Sequence, residues 1–390
     1  MKNYKAFQRS RLALSVSMAL AVSAGAIAPQ AFAQDEEMIE EVIVTGFRKS
    51  LADAIEAKRN SSSVIESISA EDIGKLPDSS IAESLARLPG LAAQRLDGRA
   101  SRISIRGFGE NESATTFNGR EQVSISDNRG VEFDLYPSEI MSGVDVYKTP
   151  DASLDAEGIA GVVNMRSIRP LEADPRLQIK SEFEKNSLGN LNPDADDTGM
   201  NGSLSWVEHF ADDTIGVAFA YSTMESPNQE NRWNSWGFPG KDVDGTNYAI
   251  LGGAKPFVRS STLDRDSMML VVEADASDKL HITADALYVD FSDQKILRGI
   301  EVPFAWGQGS QDPSSFVLDS TTGLITSAVT EGQRVVVRND YEERNAKLKS
   351  FGFNAELDYS DTLSFELDLS RSEVDRQVYS LESYAGTGRG

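Results

Sequence analysis

The chain has 390 residues, no cysteine, two histidines, and 61 acidic against 38 basic residues, for a formal charge of −23 at pH 7. Without cysteine it can form no disulfides and do no thiol chemistry. The two histidines, His209 and His281, leave little for a His-based metal site or for acid–base catalysis. The acidic balance argues against nucleic acid, whose binding depends on neutralising phosphates.

The first residues read as an export signal. Lys2, Lys5, Arg9 and Arg11 precede the apolar run from Leu12 to Ala28, and Ala31-Phe32-Ala33 supplies a small-x-small cleavage pattern before Gln34. The run is short and rich in Ala, Ser and Gly, which disfavours a spanning anchor of about 20 apolar residues. Residues 1–33 are therefore expected to be removed on export. Shortly after comes EEVIVTG, Glu40 to Gly46, with β-branched Val42, Ile43 and Val44 suited to a strand. No second strand lies near enough in sequence to pair with it.

From Phe47 to Pro170 helices alternate with short strands. Leu51 and Ile55 lie one turn apart in the first helical stretch. In SSIAESLARLPG, Ser80 and Glu83 form a capping box, Ile81, Leu85 and Leu88 share a face, and Pro89-Gly90 ends the helix. Ile103 and Ile105 line one face of a strand, and Asn118-Gly119 is a strong hairpin signal. A helix-to-strand passage over 137–150 and a glycine-punctuated strand over 157–167 complete an α+β domain of ordinary size.

After Pro170 the pattern changes to period two. Leu177, Ile179 and Phe183 alternate with polar residues, as do Ile215, Val217, Phe219 and Tyr221; Phe351, Phe353, Ala355, Leu357 and Tyr359; and Leu363, Phe365, Leu367 and Leu369. A soluble sandwich would also alternate. The connections discriminate better: short links near 211–213, 276–279 and 360–362 interleave with long ones over about 186–198, 225–262 and 294–343. Short turns at one end and long loops at the other match an outer-membrane barrel. About seven strands are expected, too few to enclose the preceding domain, since a plugged transporter uses about 22. The chain is accordingly expected to be the N-terminal part of a longer protein.

The segments EEVIVTG (Glu40 to Gly46), LARLPGL (Leu85 to Leu91), ISIRGFG (Ile103 to Gly109), FNGRE (Phe117 to Glu121), PSEIMSGVDVYKTPDAS (Pro137 to Ser153) and EGIAGVVNMRSIRP (Glu157 to Pro170) occur in this order. Together they resemble the TonB-dependent receptors of Gram-negative outer membranes, in the branch common in Caulobacter- and Xanthomonas-like bacteria. The resemblance implies a signal peptide (1–33), a TonB-box segment (34–48), an α+β plug domain (49–170) and the first part of a transmembrane β-barrel embedded in outer-membrane lipid (171–390). It makes Glu40, Glu41, Val42, Ile43, Val44, Thr45 and Gly46 the box that recruits the inner-membrane TonB-type energy-coupling protein. The missing second strand would then belong to that partner, joined by strand addition.

No enzyme activity, cofactor or metal is expected, and Asp194 to Thr198 reads as a solvated acidic loop because its spacing lacks the EF-hand pattern. Arg106 and Lys148 are candidate plug cations facing acidic residues of the inner barrel wall. Many members of the resembled branch import oligosaccharides, and Thr149-Pro150 stands where siderophore-type members more often carry Gly-Pro. The long loop holding Trp233, Trp236 and Phe238 among Asn and Ser offers indole faces for sugar rings and amides for hydroxyls. Trp306, with Phe304, is a second candidate. A ferric-siderophore receptor of the same fold is the alternative ligand class, and a secreted soluble β-rich binding protein the alternative architecture.

Overall fold

In the computed structural model the described residues are 54–69, 81–96, 99–136, 141–149, 151–152, 154 and 158–386. The signal sequence, the Glu40 to Gly46 box and the capping residue Ser80 lie outside them.

The N-terminal domain is built on a five-stranded sheet of order β1-β6-β7-β4-β5. Its strands are β1 (Ile65–Ser69), β4 (Ser113–Phe117), β5 (Arg120–Glu121), β6 (Met141–Tyr147) and β7 (Gly161–Ser167). Residues 54–60 are helical, and a short helix spans Ile81–Leu85, burying Ile81 and Leu85 as their spacing predicts. Asn118 and Gly119 take φ of 52° and 78°. Those values are what a two-residue hairpin between β4 and β5 demands. A second ribbon pairs β2 (Leu91–Leu96) with β3 (Arg99–Ile105). Strand β2 was not legible in LAAQRL, because only Leu91 of that stretch is fully buried and no alternation shows.

The second sheet is a single antiparallel path of seven long strands with a short strand, β19 (Tyr384–Gly386), paired to β17. The path comprises β8 (Arg176–Lys185), β9 (Thr198–Phe210), β10 (Ile215–Ser235), β13 (Ala254–Ser277), β14 (Leu280–Glu301), β17 (Val336–Ser360) and β18 (Leu363–Leu381). Its register sorts the side chains into two faces. Val207, Ala218, Val271 and Leu287 are buried in one core with Leu85, Ile105, Phe117 and Met165 of the N-terminal domain. The opposite parity, with Phe210, Ile215, Leu270, Phe351 and Leu367, is exposed. One face thus packs on the plug-like domain, and the other presents an apolar band of the kind lipid requires. A sandwich is excluded for this sheet: what covers its inner face is an α+β domain, not a second sheet. No helix among the described residues is long and apolar enough to cross a membrane.

The links alternate as expected, with 211–214, 278–279 and 361–362 short and 186–197, 236–253 and 302–335 long. The two largest loops are shorter than the sequence predicts. β10 and β13 stay paired up to Ser235 and Ala254, although hydrophobic alternation has stopped by then. A backbone ladder needs no apolar side chains above the lipid. Each large loop carries its own hairpin, β11 (Gly240–Val243) with β12 (Thr246–Ala249) and β15 (Ser310–Asp319) with β16 (Leu324–Glu331). A parallel contact, Ala249 opposite Leu324, joins the two hairpins into one four-stranded sheet.

Candidate functional site

Two regions bring charged or aromatic side chains together: the contacts between the N-terminal domain and the barrel wall, and the loop cluster beyond the strand ends.

In the first region the hairpin residue Arg120 leaves its own domain and enters the wall. Its Nε donates to Asp368 at 2.9 Å, and Nη1 bonds Asp285. Nε and Nη2 together make a forked pair with the Asp368 carboxylate, at 2.9 Å and 3.1 Å from Nε and 2.9 Å from Nη2. Desolvation works against the buried guanidinium, but the bonds and charges of Asp368 and Asp285 outweigh it and hold its proton more tightly than usual. Gly352 makes the fit possible. A Cβ there would lie 1.9 Å from Arg120 Nη1, so any larger residue would displace the guanidinium.

Higher in the wall a second cluster crosses the same boundary. Glu132, fully buried, accepts from Arg102 of its own domain at 2.9 Å and from Arg344 of β17 at 3.1 Å. Arg344 also reaches Asp293 of β14 at 3.4 Å, and Arg99 lies 3.8 Å from the same carboxylate. Lys295 bridges Asp293 and Glu342, while Arg102 adds Glu110 at 3.0 Å. The Glu110 carboxyl sits below the ordinary range, held there first by a backbone N–H and then by Gln94 and Arg102, with desolvation opposing them.

These residues correct the sequence expectation. Lys148 does not face the wall: its ammonium is buried and donates to Glu66 at 3.0 Å and to the Pro89 carbonyl, both within its own domain. Burial pulls the Glu66 carboxyl up, but hydrogen bonds from Lys58 and Lys148 overcome it and leave a net lowering. Arg106 sits exposed in the turn after β3, with φ of 55°. Ion pairs with the wall are made instead by Arg120, Arg99 and Glu132, and by Asp127, which meets Arg376 of β18. One signal for Arg120 was present in the sequence. Gly352 falls between the outward Phe351 and Phe353, at an inward strand position, and a glycine there marks a close approach.

In the loop region the aromatic candidates separate. Trp233 lies on β10 opposite Pro256, with the same parity as Phe219, and is 62% exposed. Period two therefore puts it on the outer face of the wall, away from the lumen. Trp236 and Trp306 do come together, on consecutive glycines. The Trp236 ring lies against Gly253 and the Trp306 ring against Gly252, where added Cβ atoms would fall 2.3 Å and 2.8 Å from them. The Trp236 backbone N–H donates to the Gly253 carbonyl at 2.9 Å, and the Trp306 backbone N–H to that of Gly252 at 3.1 Å. Lys255 stands 5.7 Å from the centre of the Trp236 ring, close enough for a cation–π contact. Phe238 and Trp306 keep about half their surface exposed, at 53% each.

Residues 57–162 match the family model described as the TonB-dependent receptor plug domain. The N-terminal domain is a plug.

The fold is thus an α+β plug domain seated on the inner face of antiparallel barrel strands. The chain is also 30% identical over 166 residues to a protein of Vibrio cholerae serotype O1 described as "Iron-regulated outer membrane virulence protein", a match covering 41% of this chain and 24% of that one. Solved structures similar to it include the ferric citrate transporter FecA in unliganded form, at 12% identity and TM-score 0.39, covering 84% of this chain and 63% of that one. The siderophore receptor PirA from Acinetobacter baumannii is similar at 13% identity and TM-score 0.38, covering 84% and 59%.

Proposed function

We propose that this chain supplies the plug and barrel strands of an energised outer-membrane importer, exported by the signal over residues 1–33. The observation that carries the reading is the plug itself, seated by buried ion pairs on a wall whose opposite face is apolar. Ligand arriving from outside would alter the plug, and the Glu40 to Gly46 segment would pair with a TonB-type coupling protein that draws on it. Val42→Pro removes a backbone donor and disfavours strand pairing. Cells carrying it in the full-length receptor are expected to lose uptake while still binding ligand at the surface. Uptake equal to wild type would remove the segment from the mechanism.

For the ligand we infer an oligosaccharide. Thr149-Pro150 supports that class, and so does the half-exposed Trp306 indole beside Trp236, a flat apolar face among polar loop groups. A ferric siderophore is the second reading, favoured by the description of the Vibrio relative as iron-regulated. Trp306→Ala should weaken binding of the true ligand by on the order of tenfold or more, the equivalent of losing about 1.5–3 kcal/mol of apolar burial. Calorimetric titration of the full-length receptor against oligosaccharides and ferric chelates identifies the class. Unchanged affinity in the mutant would leave Trp306 a loop-packing residue.

A further inference from the structure

Between the last plug strand, β7, and the first barrel strand, β8, runs a connector over residues 168–175. Four successive wall strands hold it. Glu273 of β13 is 2% exposed and accepts the Leu171 backbone N–H at 2.9 Å and Arg169 Nη1 at 3.2 Å. The same Arg169 nitrogen lies 3.0 Å from the Thr283 hydroxyl on β14. On β10, Gly216 leaves the room: a Cβ there would lie 2.8 Å from the Leu171 nitrogen. On β9, His209 Nε2 faces the carbonyls of Pro170 at 2.7 Å and Ala173 at 3.1 Å. Both histidines of the chain are at this place, for His281 Nε2 lies 3.2 Å from the Thr283 hydroxyl and 3.8 Å from Glu273, with Nδ1 2.7 Å from Asp275.

Both ring nitrogens of His209 are engaged. Nε2 meets two carbonyl oxygens of the connector, and Nδ1 meets the Asp213 carboxylate of the following turn at 3.2 Å. On its own strand Glu208 accepts the His209 backbone N–H.

We propose that the connector is a clasp, with Glu273 and His209 as positioning residues that anchor the C-terminal end of the plug to the barrel wall. Its use, keeping that end fixed while the rest of the plug is drawn upon, rests on the importer reading; its existence does not.

Hydrogen exchange at the Leu171 amide in the full-length protein, corrected for intrinsic rate, tests this. Glu273→Gln should lower Leu171 protection by about tenfold or more, because a hydrogen bond to a charged acceptor is the stronger kind. His209→Ala, which removes the contacts with the Pro170 and Ala173 carbonyls, should lower it as well. Exchange at Val163 and Met165, inside β7, reports whether each variant keeps a folded plug. Unchanged Leu171 protection in a folded Glu273→Gln protein would overturn Glu273 as the anchor, and unchanged protection in a folded His209→Ala protein would overturn His209. Failure of Val42→Pro to block uptake would strike the importer reading and leave the clasp standing.

Discussion

Replacing Arg120 with alanine is expected to loosen the plug from the barrel wall at a cost of about 3–5 kcal/mol, the range for breaking a buried ion pair on one side. The magnitude rests on Asp285, whose side chain is 3% exposed and would be left charged without its partner. Asp368 contributes less, because at 38% exposure water screens its share. The full-length protein should unfold at lower denaturant concentration, and, on the proposed importer reading, cells making it should admit large antibiotics that the seated plug excludes. Gly352→Val provides the converse test. It keeps every charge but puts a side chain where the guanidinium sits, so it should reproduce the leak. Wild-type stability in both variants would show that the forked pair is incidental to seating. Overpacking alone costs typically 1–3 kcal/mol, so the two variants should not be equal in size.

The contrast between Arg120 and Lys148 shows what the sequence could and could not reveal. The wall strands were legible because two different solvents fix their pattern. Lipid selects Phe351, Phe353 and Leu367 for one face, and the plug selects Ala218, Val271 and Leu287 for the other. The Asn118-Gly119 hairpin was legible because its backbone angles are local. Ion-pair partners are not local. Arg120 meets Asp285 and Asp368 across 165 and 248 residues of chain, and no spacing rule links them. Lys148 is likewise claimed by Glu66, 82 residues earlier, a pairing that no local pattern signals. The aromatic candidates divided for a similar reason. Trp233 and Trp236 are neighbours in sequence, but β10 ends between them at Ser235, so strand parity governs only the first.

The largest effect in the upper cluster should come from Glu132→Gln. The substitution keeps the side-chain volume nearly unchanged, so no cavity follows and the loss is one of charge. Among the described contacts four cations, Arg99, Arg102, Lys295 and Arg344, meet four carboxylates, Glu110, Glu132, Asp293 and Glu342. Removing the Glu132 charge leaves that buried group with one net positive charge, placed between Arg102 and Arg344. A cost of about 3–5 kcal/mol is expected, read as lower denaturant resistance of the plug in the full-length protein. Arg344→Met should cost less alone, because Arg102 still neutralises Glu132. The double variant restores the balance of charge and should therefore be more stable than Glu132→Gln by itself, with a coupling of about 0.5–3 kcal/mol between the two sites. Purely additive losses would mean that Glu132 and Arg344 act independently, and that plug and wall are not joined through this pair.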